Sequence, residues 1–334
     1  MLNIDSCKLK INDNSIKDMN KSCFLTDKKT DYEGTILKDN QELIKDYLPF
    51  GVKAINLNNI TKEVILEFSA KILKEKYFEN INKNNIECVF ENLNNTGISF
   101  NANTIIDNAE ILRFDNTYNL TVKEPVSSYL DYMRGYRLNS RYSVSEFDTS
   151  VIFTKDVKTP ALKERVIFYD KQKDVMRDKE LHKFVNVNQF ENVLRAETNI
   201  RSFSAIRKLL DIKKEKNNIR ETILLKDILN SNQKPISIIF DSITNAEPSL
   251  FDEYRNKDYM ISDIVQIEGL KSIVASCNYD MKIIKTFVRQ HTKKRTSVSY
   301  WNGKFKRILR MITAEKNQIK YDYIGEIKNL LNAA

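Results

Sequence analysis

Val166-Ile167-Phe168-Tyr169-Asp170-Lys171 is an apolar, β-branched run that closes on a tyrosine, with a lysine two residues after it. Such a run predicts a strand. About 25 residues further on, Val193-Leu194-Arg195-Ala196-Glu197-Thr198-Asn199-Ile200 predicts a second strand, and this one carries an arginine and an acid. A tyrosine held at a strand end beside a fixed cation has the chemistry of a nucleophile toward a phosphodiester, because the lysine stabilises the phenolate or the phosphate it attacks.

Working outward, Ile4 to Ile11 alternates in period two and predicts an opening strand. A stretch rich in Asn, Asp and Lys then runs to about residue 40 and predicts loops and short strands. Glu63 to Ala70 predicts another strand, Glu87 to Leu93 an amphipathic helix that stops before Gly97, and Asn108 to Leu120 a central strand. Ser127 to Arg134 predicts a helix, and Ser150 to Phe153 pairs naturally with Arg165 to Tyr169 through a turn at Lys158-Thr159-Pro160. Beyond residue 203 the period changes to 3.6, over Ser204–Leu210, Leu224–Leu229, Asp263–Ala275, Asp280–Val288 and Lys304–Thr313. The fold class expected is therefore α+β, with a sheet domain over 1–203, extending to about 230, and a basic, mainly helical domain over 235–334.

The 334 residues are 41% hydrophobic and 30% charged, the balance of a folded globular chain. The net charge of +9 is unevenly spread: residues 1–150 hold 19 Lys and Arg against 22 Asp and Glu, and residues 151–334 hold 35 against 23. Between 271 and 310 there are eleven basic residues and one acid, Asp280. That block is the footprint of a nucleic-acid contact, though a solvated basic face has the same composition. No GxxxxGK[ST] or GxGxxG occurs, which argues against a nucleotide cofactor. Cys7, Cys23, Cys88 and Cys277 form no CxxC pair. With no signal-peptide pattern and no apolar run approaching 18 residues, the expectation is a cytoplasmic protein with free thiols and no membrane partner.

Histidine is nearly absent, only His182 and His291. Any bound metal is then expected to be a hard ion, Mg²⁺ or Mn²⁺, on carboxylates. Glu67, Asp115 and Glu197 lie within expected strands, and strand acids need a cation or an arginine. Arg113 and Arg195, each two residues away on the same strand face, are ready partners for the plain ion-pair alternative. Tyr169 is one of 15 tyrosines, most of which pack with a wet hydroxyl, so its company rather than its type singles it out.

Taken in order, Leu66-Glu67-Phe68-Ser69-Ala70-Lys71-Ile72-Leu73, Ile111-Leu112-Arg113-Phe114-Asp115, Val166 to Lys171 and Leu194-Arg195-Ala196-Glu197 resemble the motifs of the gene II/X family of replication initiators from filamentous phages. More distantly, they resemble the rolling-circle initiators of small plasmids. The likeness covers roughly residues 1 to 230, with a looser echo around Trp301 to Arg310. The chain departs from the pattern after the tyrosine, where Gln172-Lys173-Asp174-Val175 stands in place of a Glu-Leu pair.

The resemblance implies a nickase-like antiparallel sheet. In it Tyr169 would cut one strand at a plus-strand origin, leaving a 5′-phosphotyrosyl link and a 3′-hydroxyl for a host polymerase, and would later religate the product. Lys171 would offset phosphate charge, and Asp115, Glu197 and Glu67 would hold Mg²⁺ or Mn²⁺. Arg113 and Arg195 would orient the acids or grip a phosphate. Arg289, Lys293, Lys294, Arg295, Trp301, Lys304, Lys306 and Arg307 would bind origin DNA, as supercoiled duplex and single strand, with a host helicase as a further partner. Trp301 has a plain alternative as a core anchor. The competing reading is a non-catalytic DNA-binding initiator or repressor, which would need no tyrosine at a strand end.

Overall fold

The computed structural model describes residues 1–94, 97–135, 142–155, 164–200, 202–212, 222–244, 261–318 and 321–334. Its centre is a ten-stranded sheet, antiparallel at every pairing, in the order β3-β4-β5-β6-β1-β8-β12-β11-β10-β9. The strands are β1 (Ile4–Asn12), β3 (Phe24–Thr30), β4 (Ile36–Leu43), β5 (Val52–Asn58), β6 (Glu63–Ser69), β8 (Glu110–Thr121), β9 (Tyr142–Phe147), β10 (Ser150–Lys155), β11 (Arg165–Asp170) and β12 (Val193–Ile200). A small second sheet pairs β2 (Ile16–Met19) with β7 (Ile98–Phe100). The helices are α1 (Ile86–Leu93), α2 (Ala102–Asn108), α3 (Val126–Gly135), α4 (Lys171–Arg177), α5 (Phe203–Leu210), α6 (Leu225–Leu229), α7 (Pro235–Thr244), α8 (Ile261–Ser276), α9 (Met281–His291), α10 (Arg295–Gln318) and α11 (Tyr323–Ala333). The fold is thus α+β, with helices gathered in the C-terminal part.

Period-two alternation divides the sheet into two unlike faces. One face carries Leu9 and Ile11, Leu66 and Phe68, Phe114 and Tyr118, Leu194 and Ala196, and Val166 and Phe168, all buried. Helices α3 and α7 cover it, with Phe168 against Phe240 of α7 at 5.1 Å between ring centroids. Burying a side chain of that size contributes about 1.5–3 kcal/mol. The opposite face carries Tyr169, Arg195, Glu197, Asn119, Asp115, Arg113, Lys8 and Glu67, so the charged residues of the central strands named as site candidates project to one side. A run of 3₁₀ turns over Ala70–Glu79, together with α4, roofs one end of this polar face.

Gly51 lets that roof come down onto the sheet. Its φ of +86° favours glycine, and a Cβ there would lie 2.3 Å from the backbone nitrogen of Ile72. Gly51→Ala is expected to destabilise the fold by about 1–3 kcal/mol, seen as a lower denaturant midpoint.

Two hydrophobic cores exist among the described residues, and they divide the chain differently from the expected boundary at 235. Ile236, Ile239, Phe240 and Ile243 of α7, with Tyr323, Ile324, Ile327 and Leu331 of α11, belong to the sheet core. The separate core, with Leu270, Val274, Ile284, Val288, Phe305 and Ile308, joins only α8, α9 and α10. The expected turn at Lys158–Pro160 lies outside the described residues. No helix among the described residues is long and apolar enough to cross a membrane.

Candidate active site

The chain turns immediately after Tyr169 because Asp170 is a helix cap. The Asp170 carboxylate accepts from the Lys173 backbone N–H at 3.1 Å, which ends β11 and starts α4 at Lys171. The tyrosine is thereby fixed at the last turn-free position of the strand, half-buried, with Lys171 folded back beneath it.

Across the sheet Tyr169 stands opposite Arg195, and Arg195 opposite Asn119. The Tyr169 hydroxyl donates to Glu197 Oε2 at 3.1 Å. Arg195 has no exposed side-chain surface; its guanidinium donates to Asp5 and to Asn119 Oδ1 (3.4 Å) and lies 4.0 Å from Glu197 Oε2. It also lies 5.7 Å from the centre of the Tyr77 ring. Lys171, only 2% exposed, donates to the Tyr77 hydroxyl at 2.6 Å and to Asp174 at 2.7 Å. Its ammonium sits 4.9 Å from the Tyr77 ring centre and 5.4 Å from that of Tyr169. Two buried cations therefore flank one tyrosine whose proton points at a carboxylate.

Burial governs the electrostatics here, since removal from water disfavours every charged form. It pushes the Glu197 carboxyl up to about 7, helped by the charge of Asp5 and opposed by Arg195. Burial, aided by the Arg195 charge, brings Lys171 down to about 8, against the pull of Asp174. Burial also raises the Tyr169 phenol well above its ordinary value, with Arg195 pulling it down and Glu197 pushing it up. Tyr169 is consequently neutral at rest and needs a base to lose its proton.

The expected metal set does not assemble. Glu67 lies on β6, three strand spacings from Glu197 on β12, and is level with Arg113 of β8 where Glu197 is level with Thr117, so the two are more than about 14 Å apart at ordinary sheet geometry. It pairs instead with Arg113 at 2.9 Å, Lys8 at 3.7 Å and Lys53 at 3.9 Å. Asp115 accepts from Ser6 and Asn199, and burial raises its carboxyl. Among the described residues no three His, Cys, Asp or Glu side chains form a group that could hold a metal ion. Of the expected set, Asp115 and Glu197 remain near each other together with Asp5, and the Arg195 guanidinium pairs with Asp5 and lies 4.0 Å from Glu197.

Arg113 pairs with Glu67 on another strand rather than with Asp115, the partner that the ion-pair alternative gave it, and Arg195 is buried rather than offered to a phosphate at the surface. Among the C-terminal residues, Arg289, Lys293, Lys294, Lys306 and Arg307 are exposed, and Arg295 opens α10. Trp301 packs against the three-helix core, as its plain alternative had it. Its neighbour Tyr300 is exposed, with the Lys304 ammonium 4.8 Å from its ring centre. Of the tyrosines that could serve a second cut at termination, Tyr118 and Tyr142 are both buried, and Tyr254 lies outside the described residues.

Sequence reasoning missed Asp5, Tyr77 and Asn119. Asp5 was visible as an acid inside the opening strand, but it reaches Arg195 from an irregularity in the β1–β8 register between Ile4 and Ser6. Compared with known proteins, the chain matches no protein-family model and none of the curated proteins.

Proposed function

We propose that the protein is a DNA nickase and strand transferase that starts rolling-circle replication of a phage or plasmid through Tyr169, in a reducing cytoplasm. The observation that carries this reading is the Tyr169 hydroxyl donating to Glu197 at 3.1 Å between two buried cations, Arg195 and Lys171. Glu197 takes the Tyr169 proton as the phenol oxygen attacks phosphorus. The bond from phosphorus to the 3′-oxygen breaks, the 3′-oxygen takes a proton from water, and the 5′-phosphate stays on the tyrosine. Arg195 and Lys171 offset the negative charge that builds on phenolate and phosphate in a site with little water to screen it. Religation runs the same steps backward, with protonated Glu197 returning its proton to Tyr169. The linkage conserves the phosphodiester, so no nucleotide cofactor is required. The basic surface of α9 and α10 would hold the origin, and a host helicase and polymerase would extend the 3′ end.

The test is conversion of supercoiled DNA from the protein's own genetic element to nicked circles, in buffer with Mg²⁺ or Mn²⁺. Tight binding without any nicking would leave a non-catalytic DNA-binding initiator in its place. The pH dependence has a definite sign. Glu197 must be deprotonated and Lys171 protonated, so the rate should rise through about pH 7 and fall above about pH 8. A single-turnover rate that is flat from pH 6 to pH 9 would contradict this assignment.

A further inference from the structure

Helices α9 and α10 are joined by three residues, Thr292, Lys293 and Lys294, and both pack with α8 in one small core. A short turn between two helices of a three-helix unit is the layout of a helix-turn-helix. Spacings of three and four divide α10 into two faces. Val298, Trp301, Phe305, Ile308 and Ile312 line the core. Ser299, Tyr300, Gly303, Lys306 and Arg307 are exposed on the other side. That outward face is free only up to Arg307, because Arg310, one turn on, is ion-paired with Glu146 of β9. On α9 the same division puts Ile284 and Val288 in the core and Lys282, Lys285 and Arg289 outside.

Residues 281–314 contain ten Lys and Arg and no Asp or Glu. The exposed cations of α9, of the turn and of the outward face of α10 form no ion pair among the described residues. A surface with no counter-charge of its own is complementary to a polyanion. The outward face of α10 is shaped for a groove rather than for loose bases. Stacking on single strands uses rings in series, and this face has one ring, Tyr300, between the small residues Ser299 and Gly303. Glycine inside a helix costs about 1 kcal/mol against alanine, so Gly303 does not serve the helix; its missing side chain lets the backbone come close to whatever it lies against. Lys304, anchored on Gln266 of α8 at 2.6 Å, lies 4.8 Å from the Tyr300 ring centre and steadies the ring at the surface. The Tyr300 hydroxyl has no hydrogen-bond partner among the described residues. From Ser299 to Arg307 the face is about 12 Å long, the length of three or four base-pair steps.

We propose that α9 and α10 read double-stranded DNA by sequence, with Ser299, Tyr300 and Gly303 of α10 against base edges in the major groove and Lys285 and Arg289 of α9 on the flanking phosphates. The B-form major groove, about 12 Å wide, admits such a helix, whereas that of A-form RNA is deep and narrow. That the duplex read in this way is the origin rests on the function proposed above.

The experiment uses the full chain to select bound molecules from a pool of random-sequence duplexes. Affinity is then measured for the selected duplex, for an unrelated duplex and for the matching single strand. Wild type is expected to select a common motif and to prefer it over the unrelated duplex by about 10²-fold or more. Tyr300→Ala and Gly303→Leu, at exposed positions where a helix tolerates both residues, should each cut that preference about fivefold or more. Lys285→Ala with Arg289→Ala should instead weaken both duplexes alike and reduce the salt slope by about 1.8, two phosphate contacts. A selected pool with no common motif, tighter binding of the single strand, or an unchanged preference in Tyr300→Ala or Gly303→Leu would overturn the proposal. Nicking assayed in parallel separates the two ideas. A motif selected without nicking keeps the groove reading and removes the Tyr169 reading; nicking by a protein that selects no motif does the reverse.

Discussion

Tyr169→Phe should abolish nicking while leaving DNA binding unchanged, and Glu197→Gln should slow nicking by about 10²–10⁴-fold, the usual worth of a positioned base. Phenylalanine keeps the ring that packs 5.4 Å from the Lys171 ammonium and loses only the hydroxyl. Glutamine keeps the shape of Glu197 but cannot take the proton now directed at Oε2. Neither change should weaken the fold. Burial already drives the Glu197 carboxyl up, so the folded state favours its neutral form, which glutamine imitates. Single-turnover rates with a denaturant midpoint for each variant make the check. A Glu197→Gln rate within about threefold of wild type would remove Glu197 as the base.

The second large effect is on stability. Arg195→Met should cost about 3–5 kcal/mol, because it takes the buried guanidinium from between Asp5 and Glu197 and leaves two largely buried carboxyl groups facing each other. The same chain with Asp5→Asn added should recover part of the loss, since the remaining repulsion is then removed. Denaturant midpoints of the two single variants and the double variant test this. A loss for Arg195→Met no larger than that of a surface substitution would show that the guanidinium is not the keystone of the cluster.

The sheet was legible wherever one face of a strand is buried and the other is not. Ile4–Ile11, Glu63–Ala70, Asn108–Leu120, Arg165–Tyr169 and Val193–Ile200 all correspond to strands of the structure within two residues, because their alternation reflects a real inside and outside. Strand β4, with Lys38, Asp39, Asn40, Gln41 and Glu42 in a row, has no such contrast and was not singled out from the polar stretch of expected loops and short strands. Tyr142–Phe147 is an edge strand, paired on one side only, so its pattern is weakly constrained.

The candidate site was legible in part, for a different reason. Tyr169 and Lys171 are two apart in the chain, as are Arg195 and Glu197, so local spacing brings each pair together. Tyr77 meets Lys171 across 94 residues and Asp5 meets Arg195 across 190, distances that only the folded sheet closes. Glu67 shows the converse: its motif looked right, but strand order places two strands, β1 and β8, between it and Glu197. The aspartate that replaces the expected Glu-Leu pair, Asp174, has a place in the cluster, accepting from Lys171 at 2.7 Å.

The measurement that bears most directly on the central claim is peptide mapping of the protein after reaction with its own origin DNA and nuclease digestion. The prediction is a nucleotide joined through its 5′-phosphate to Tyr169, in the peptide spanning Val166 to Lys171. A nucleotide joined to any other residue, or nicked DNA with no joined protein, would contradict the assignment of Tyr169 as the nucleophile.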